Sequence, residues 1–75
     1  MRRLSRIIHF SKSGNLIVRL DSDLYPRIGA KVFDSKLKEI GKVQDLFGPV
    51  ARPYISISPT TSEASTFVGK IVYSD

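Results

Sequence analysis

The sequence predicts a small all-β protein, and three observations support this fold class. Apolar and polar residues alternate with a period of two over most of the chain, as they do in strands. Turn-forming residues interrupt the alternation at short intervals, and no segment is predicted to be a helix. The chain has 75 residues, 41% of them hydrophobic and 25% charged. We therefore expect one globular domain over residues 1–75, with a thin core.

Six segments show this strand pattern and are bounded by turn residues: 4–11, 16–20, 30–34, 39–47, 54–58 and 67–73. Residues 12–15 supply the turn of a hairpin between the first two strands. Pro26 and Gly29 disfavour a helix in the connection to the third strand. Asp21 and Asp23 precede that connection, and we interpret them as turn formers through side-chain to backbone hydrogen bonds.

The second half of the chain contains the longest strand candidate, residues 39–47. Gly41 inside it predicts a bulge or a sharp bend of the kind that barrel closure requires. Residues 48–53 form a loop set by a glycine and two prolines, and the Ser/Thr-rich residues 59–66 are predicted to be a mobile loop. Six short strands favour a small barrel, which removes exposed sheet edges, over an open sandwich.

Charge and composition limit the classes of partner. The formal net charge is +5, which attracts nucleic acid or a ribonucleoprotein surface, although the basic residues are spread along the chain. There are no cysteines, which excludes disulfides and thiolate metal sites. No apolar run approaches the roughly 18 to 20 residues that span a bilayer. We expect an intracellular protein that does not enter a membrane.

The sequence contains no combination of residues that predicts catalysis, a metal or a cofactor. His9, the one histidine, lies in the first strand segment on the face predicted to hold Ile7, where a structural role is the better interpretation. No serine lies in a Gly-x-Ser-x-Gly elbow, and the glycines form no phosphate-binding loop. We predict that the chain is not an enzyme.

The segment around residues 45–54 stands out because bulky apolar side chains and prolines surround a constrained loop. Prolines reduce the entropy lost on ordering, so such a loop suits docking. The other interpretation, equally favoured by the pattern alone, is that Phe47, Val50 and Tyr54 fold inward. For the seven aromatic residues taken together, we expect positions in the core.

The same segment resembles a known family, the Gar-type subunit of box H/ACA ribonucleoproteins, which are RNA-guided pseudouridine synthases. The matching run is Gly41-Lys42-Val43-Gln44-Asp45-Leu46-Phe47-Gly48-Pro49-Val50, followed by Pro53-Tyr54-Ile55-Ser56-Ile57. The family pattern is Gly-x-Val-x-acidic-aliphatic-Phe-Gly-Pro-Val, then a proline and an aromatic residue. The similarity extends over roughly residues 25–73. The Gly/Arg-rich tails of eukaryotic members are missing from this sequence, which makes it similar to archaeal members.

This resemblance implies a fold, a partner and a surface. The fold is a six-stranded split β-barrel of the translation-factor-like type. The partner is the catalytic domain of the pseudouridine synthase subunit, and guide RNA and other particle proteins are reached indirectly. The role is to promote loading and release of substrate RNA, in the cytoplasm if the chain is archaeal and in the nucleolus in eukaryotic relatives. The partner-binding residues are then Phe47, Gly48, Pro49, Val50, Pro53 and Tyr54.

Two alternatives to this role stay open. In the first, the chain is a freestanding RNA-binding barrel, which its charge allows. In the second, it is the related H/ACA assembly factor, which shares the same barrel. A freestanding barrel requires RNA binding by the isolated chain that weakens steeply as salt rises.

Overall fold

A computed structural model describes residues 1–21 and 25–75 of the chain, and its strands form a closed antiparallel barrel. The six strands are β1 (Arg2–Phe10), β2 (Leu16–Arg19), β3 (Lys31–Phe33), β4 (Glu39–Phe47), β5 (Tyr54–Pro59) and β6 (Ile71–Ser74). Their order around the barrel is β1-β2-β5-β4-β3-β6, and β6 pairs again with β1. The prediction of an all-β, six-stranded barrel is confirmed, and the open sandwich is excluded.

Bulges in the two longest strands allow the barrel to close. In β1, Leu4 is left unpaired in the ladder with β6, and Ile8 is left unpaired in the ladder with β2. β4 likewise skips Gln44 against β5 and Ile40 against β3. Each unpaired residue bends its strand and increases the local twist. A nine-residue strand can therefore curve around the barrel while it pairs with both neighbours.

Gly41 lies beside one of these bulges, as its position inside a strand predicted. It also lies against β5 without room for a side chain: a Cβ there would be 2.5 Å from the carbonyl oxygen of Ser58 and 2.8 Å from Cγ2 of Ile57. Because one of these contacts is with backbone, the clash has no easy relief. Gly41 is thus required by the close approach of two strands as well as by the bend.

The barrel interior is filled by aliphatic side chains, and the expectation that the aromatic residues form the core is wrong. All seven rings are half-buried or exposed. Six short strands enclose a narrow interior that branched aliphatic side chains fill, and of the rings only the half-buried Phe67 is packed against this core. The core consists of Leu4, Ile7, Leu16, Val18, Leu20, Val32, Ile40, Val43, Ile55, Ile57, Ala64 and Val72.

The bulge at Ile8 changes which side chains of β1 face inward. Ile7 is fully buried opposite Val18, whereas His9 is exposed opposite the half-buried Ile17. The prediction that His9 shares a face with Ile7 is therefore wrong, because a skipped residue reverses the alternation beyond it. His9 lies on the outside of the barrel.

The polar stretch predicted as a loop contains a short 3₁₀ helix, Ala64–Phe67, which also takes the first residue predicted for the last strand. Thr66 closes this turn, with its backbone N–H and its hydroxyl both donating to the carbonyl oxygen of Glu63. Ala64 is buried in the core. Of the aspartates interpreted as turn formers, Asp21 pairs with Arg3 at 3.3 Å, and Asp23 lies outside the described residues.

Candidate docking surface

The loop between β4 and β5, residues 48–53, carries one wall of a shallow apolar cleft of about 160 Å³. None of the residues that line the cleft is charged. They are Tyr25, Leu46, Phe47, Gly48, Pro49, Val50 and Pro53. A concave apolar surface of this kind is suited to contact with an apolar side chain of another molecule.

Two hydrogen bonds hold the loop against the barrel. The hydroxyl of Tyr25 donates to the carbonyl oxygen of Val50. The backbone N–H of Leu20, just beyond β2, donates to the carbonyl oxygen of Pro53 at 2.9 Å. The loop is thus fixed near its middle and at its end, so little entropy remains to be lost when a partner binds.

A stack of side chains forms the base of the loop. Phe47 and Tyr54 face each other as the last pair of the β4–β5 ladder. Their rings are stacked, with centroids 5.5 Å apart and planes at 18°, a separation typical of favourable aromatic pairs. On the next strand, the guanidinium carbon of Arg19 lies 5.9 Å from the centroid of the Tyr54 ring. Three neighbouring strands thus contribute one row of side chains.

The structure brings the six residues predicted to bind a partner together in and beside this loop. Val50 is 85% exposed and Phe47 is 44% exposed, so the interpretation that these two fold inward is wrong. Gly48 and Pro49 are exposed and Tyr54 is half-buried. Pro53 is buried and contributes to the cleft from below. Whether these residues bind a partner stays a prediction.

Three residues at this surface were missed by the sequence prediction. Tyr25 and Leu46 line the cleft, and Arg19 covers the Tyr54 ring. Leu46 lies within the matching family motif, so the sequence could have identified it as part of this surface. Arg19 reaches the loop through its pairing with Tyr54 in the β2–β5 ladder, and Tyr25 is 25 positions from Val50 in the sequence. No local pattern marks either contact.

The described parts of the chain contain no group of three His, Cys, Asp or Glu side chains placed to hold a metal ion. Within the same residues, no helix is long and apolar enough to cross a membrane.

Comparisons with known proteins match most of the chain to one family. A family model described as "Gar1/Naf1 RNA binding region" matches residues 4–75. An uncharacterized protein of Methanothermobacter thermautotrophicus is 50% identical over 60 residues, which cover 80% of this chain and 63% of that protein. A second uncharacterized protein, from Methanocaldococcus jannaschii, is 46% identical over 57 residues, which cover 76% of this chain and 67% of that protein. The chain thus spans about two thirds of the length of these archaeal relatives.

Proposed function

The chain belongs to the Gar1/Naf1 family, and from this premise we propose that it is a non-catalytic accessory subunit of a box H/ACA ribonucleoprotein. Its barrel, residues 1–75, acts as one domain that docks on the catalytic domain of the pseudouridine synthase subunit. Docking promotes the loading and release of substrate RNA, and so the turnover of rRNA pseudouridylation, in the archaeal cytoplasm.

One observation carries the docking proposal: an exposed apolar loop is already held in place in the free chain. Val50 projects into solvent, while its own carbonyl oxygen is bound by Tyr25. Exposing a large apolar side chain on a fixed loop leaves a surface that a partner can cover at low entropic cost. The docking residues are Phe47, Gly48, Pro49, Val50, Pro53 and Tyr54, with Tyr25 and Leu46 added from the geometry.

The first test is a substitution that places a charge in the centre of this surface. Val50→Asp leaves the barrel intact because the side chain is exposed, but docking would bury an unpaired carboxylate. We expect binding to the synthase, measured by calorimetry, to weaken by roughly 100-fold or more, which corresponds to about 2.7 kcal/mol. Modification of substrate RNA should slow under multiple turnover and keep its single-turnover rate.

The matched control is Val68→Asp, the same change at another exposed valine that does not line the cleft. It should bind the synthase as the unsubstituted chain does. Equal affinities of the Val50→Asp variant and the unsubstituted chain would place the docking surface elsewhere on the barrel. If the unsubstituted chain did not bind the synthase, the proposed role itself would be wrong.

The assembly-factor alternative makes a different prediction about the particle. The matching family model covers both Gar1 and Naf1 proteins. A mature subunit stays bound in particles that modify RNA, whereas an assembly factor leaves before activity begins. We expect the chain to co-purify with catalytically active particles in stoichiometric amount, and its loss from active particles would favour the assembly factor.

A further inference from the structure

A second cleft, next to the docking surface, is lined by arginines from three parts of the fold. Arg6 comes from β1, Arg19 from the end of β2 and Arg52 from the β4–β5 loop. All three side chains belong to exposed residues, and the cleft between them measures about 220 Å³. The other residues that line it are Ser5, Ile8, Leu20 and Asp21.

The cleft carries a net positive charge. Asp21 is the one carboxylate among the residues that line it, and its Oδ2 atom lies 3.3 Å from Nη1 of Arg3. Asp21 is therefore already paired with an arginine that does not itself line the cleft. Within residues 1–21 and 25–75, no carboxylate oxygen lies within 4.0 Å of a guanidinium nitrogen of Arg6, Arg19 or Arg52.

Arg19 lies beside an aromatic ring as well as in the cleft. Its guanidinium carbon is 5.9 Å from the centroid of Tyr54, which is itself stacked on Phe47. This contact helps to hold the Arg19 side chain at the cleft. A guanidinium can donate two parallel hydrogen bonds to the oxygens of a phosphate.

From this geometry we propose that Arg6, Arg19 and Arg52 form a binding site for the phosphodiester backbone of RNA. The two neighbouring clefts have different chemistry, since the docking cleft contains no charged side chain and the second contains four. This segregation indicates two different occupants, an apolar protein surface and a polyanion. The net charge of +5 and the RNA-binding family model support RNA as the polyanion.

The site places RNA and the protein partner side by side on the barrel. Arg52 belongs to the docking loop, and Arg19 contacts its base through Tyr54. An RNA strand held by the arginines would lie at the edge of the surface proposed for the synthase. This binding is a property of the chain by itself, so it holds even if docking uses another surface.

The test compares two variants that each lose two positive charges. Arg19→Gln with Arg52→Gln removes two donors of the cleft, and Lys36→Gln with Lys38→Gln removes two exposed lysines from a separate cleft. Binding of a labelled single-stranded oligouridylate of roughly 12 nucleotides is measured by fluorescence anisotropy between about 50 and 200 mM salt.

We expect the arginine variant to reduce the slope of log affinity against log salt by about 1.4, because each single-strand phosphate contact contributes roughly 0.7. The lysine variant should keep the slope of the unsubstituted chain. Both variants should keep their melting temperature, because all four residues are exposed. The oligouridylate assay contains no synthase, so its outcome does not depend on whether the docking proposal is right.

Three results would overturn the inference. Equal losses of RNA affinity in the two variants would mean that the attraction is diffuse rather than local. No RNA binding by the unsubstituted chain at low salt would mean that the cleft does not take RNA. Competition by a polyglutamate peptide as strong as that by RNA of the same charge would assign the cleft to an acidic protein.

Discussion

Gly48 links backbone conformation to the geometry of the docking surface. Its φ angle is +93°, a region in which residues with a side chain are strained. A Cβ at this position would also lie 2.8 Å from Cδ2 of Tyr54. The expectation that Gly48 permits the turn follows from the sequence, whereas its role in giving Tyr54 room to stack on Phe47 follows from the structure alone.

At the scale of the single residue, we predict the effect of Gly48→Ala and compare it with a matched control, Gly14→Ala. Gly14 has a φ of +88° and no heavy atom within 4 Å of its missing Cβ. The control should lose about 1–2 kcal/mol of unfolding free energy, the cost of the backbone conformation. Gly48→Ala should lose about 0.5–1.5 kcal/mol more, because the Tyr54 ring must leave its stack. Urea denaturation measures both, and equal losses would show that the ring moves freely.

At the scale of the element, the β4–β5 loop is fixed by contacts that are distant in sequence. Tyr25 and Leu20 both donate to carbonyl oxygens of this loop from other parts of the barrel. The two prolines and the glycine predict a constrained loop from local sequence. Its position on the barrel surface depends on these long-range bonds.

We therefore predict that Tyr25→Phe weakens docking without unfolding the barrel. The variant removes one hydrogen bond that orders the loop, which corresponds to about 0.5–1.5 kcal/mol, or roughly a 2- to 12-fold loss of affinity. Calorimetry with the synthase measures the loss, and hydrogen exchange should be faster at the Leu20 amide, which donates to the carbonyl oxygen of Pro53 in this loop. Tyr73→Phe is the control, because Tyr73 does not line the docking cleft. Unchanged exchange in the Tyr25 variant would refute a tethering role for its hydroxyl.

In the strands, the local sequence pattern predicts the bounds of β4 but not which face of β1 points inward. The bounds predicted for β4 agree with the structure, because Glu39 and Phe47 are flanked by clear turn residues. The inward face of β1 does not follow from its alternation, since the skipped residues Leu4 and Ile8 reverse it. A bulge needs only one extra residue, and no local signal in β1 marks its position.

At the scale of the whole molecule, stability depends on a thin core of aliphatic side chains. A chain of this length has an unfolding free energy of only about 4–11 kcal/mol. The free-energy cost of truncating one large side chain in the interior is therefore a considerable fraction of the total unfolding free energy. None of the residues proposed for docking or for RNA binding is a member of this core cluster.

Ile57→Ala tests the dependence on the core, with Ile8→Ala as the control. Ile57 is fully buried between Leu16 and Val43, while Ile8 is 50% exposed. The buried truncation should lower the unfolding free energy by about 2–4 kcal/mol and the melting temperature by roughly 10–25 °C. The exposed truncation, Ile8→Ala, should change the unfolding free energy by less than about 1 kcal/mol. Similar losses in a calorimetric scan would mean that the barrel interior is not the principal source of stability.

The sequence by itself determined the all-β class, the six strands and the segment in which we propose the docking residues. These depend on local signals, namely alternation, turn residues and one dense motif between Gly41 and Tyr54. The tertiary structure decided that the rings lie outside the core, that Tyr25 tethers the loop and that Arg6, Arg19 and Arg52 share a cleft. These features depend on the tertiary arrangement of the strands and loops, which brings together residues from distant parts of the chain whose partners no local pattern specifies.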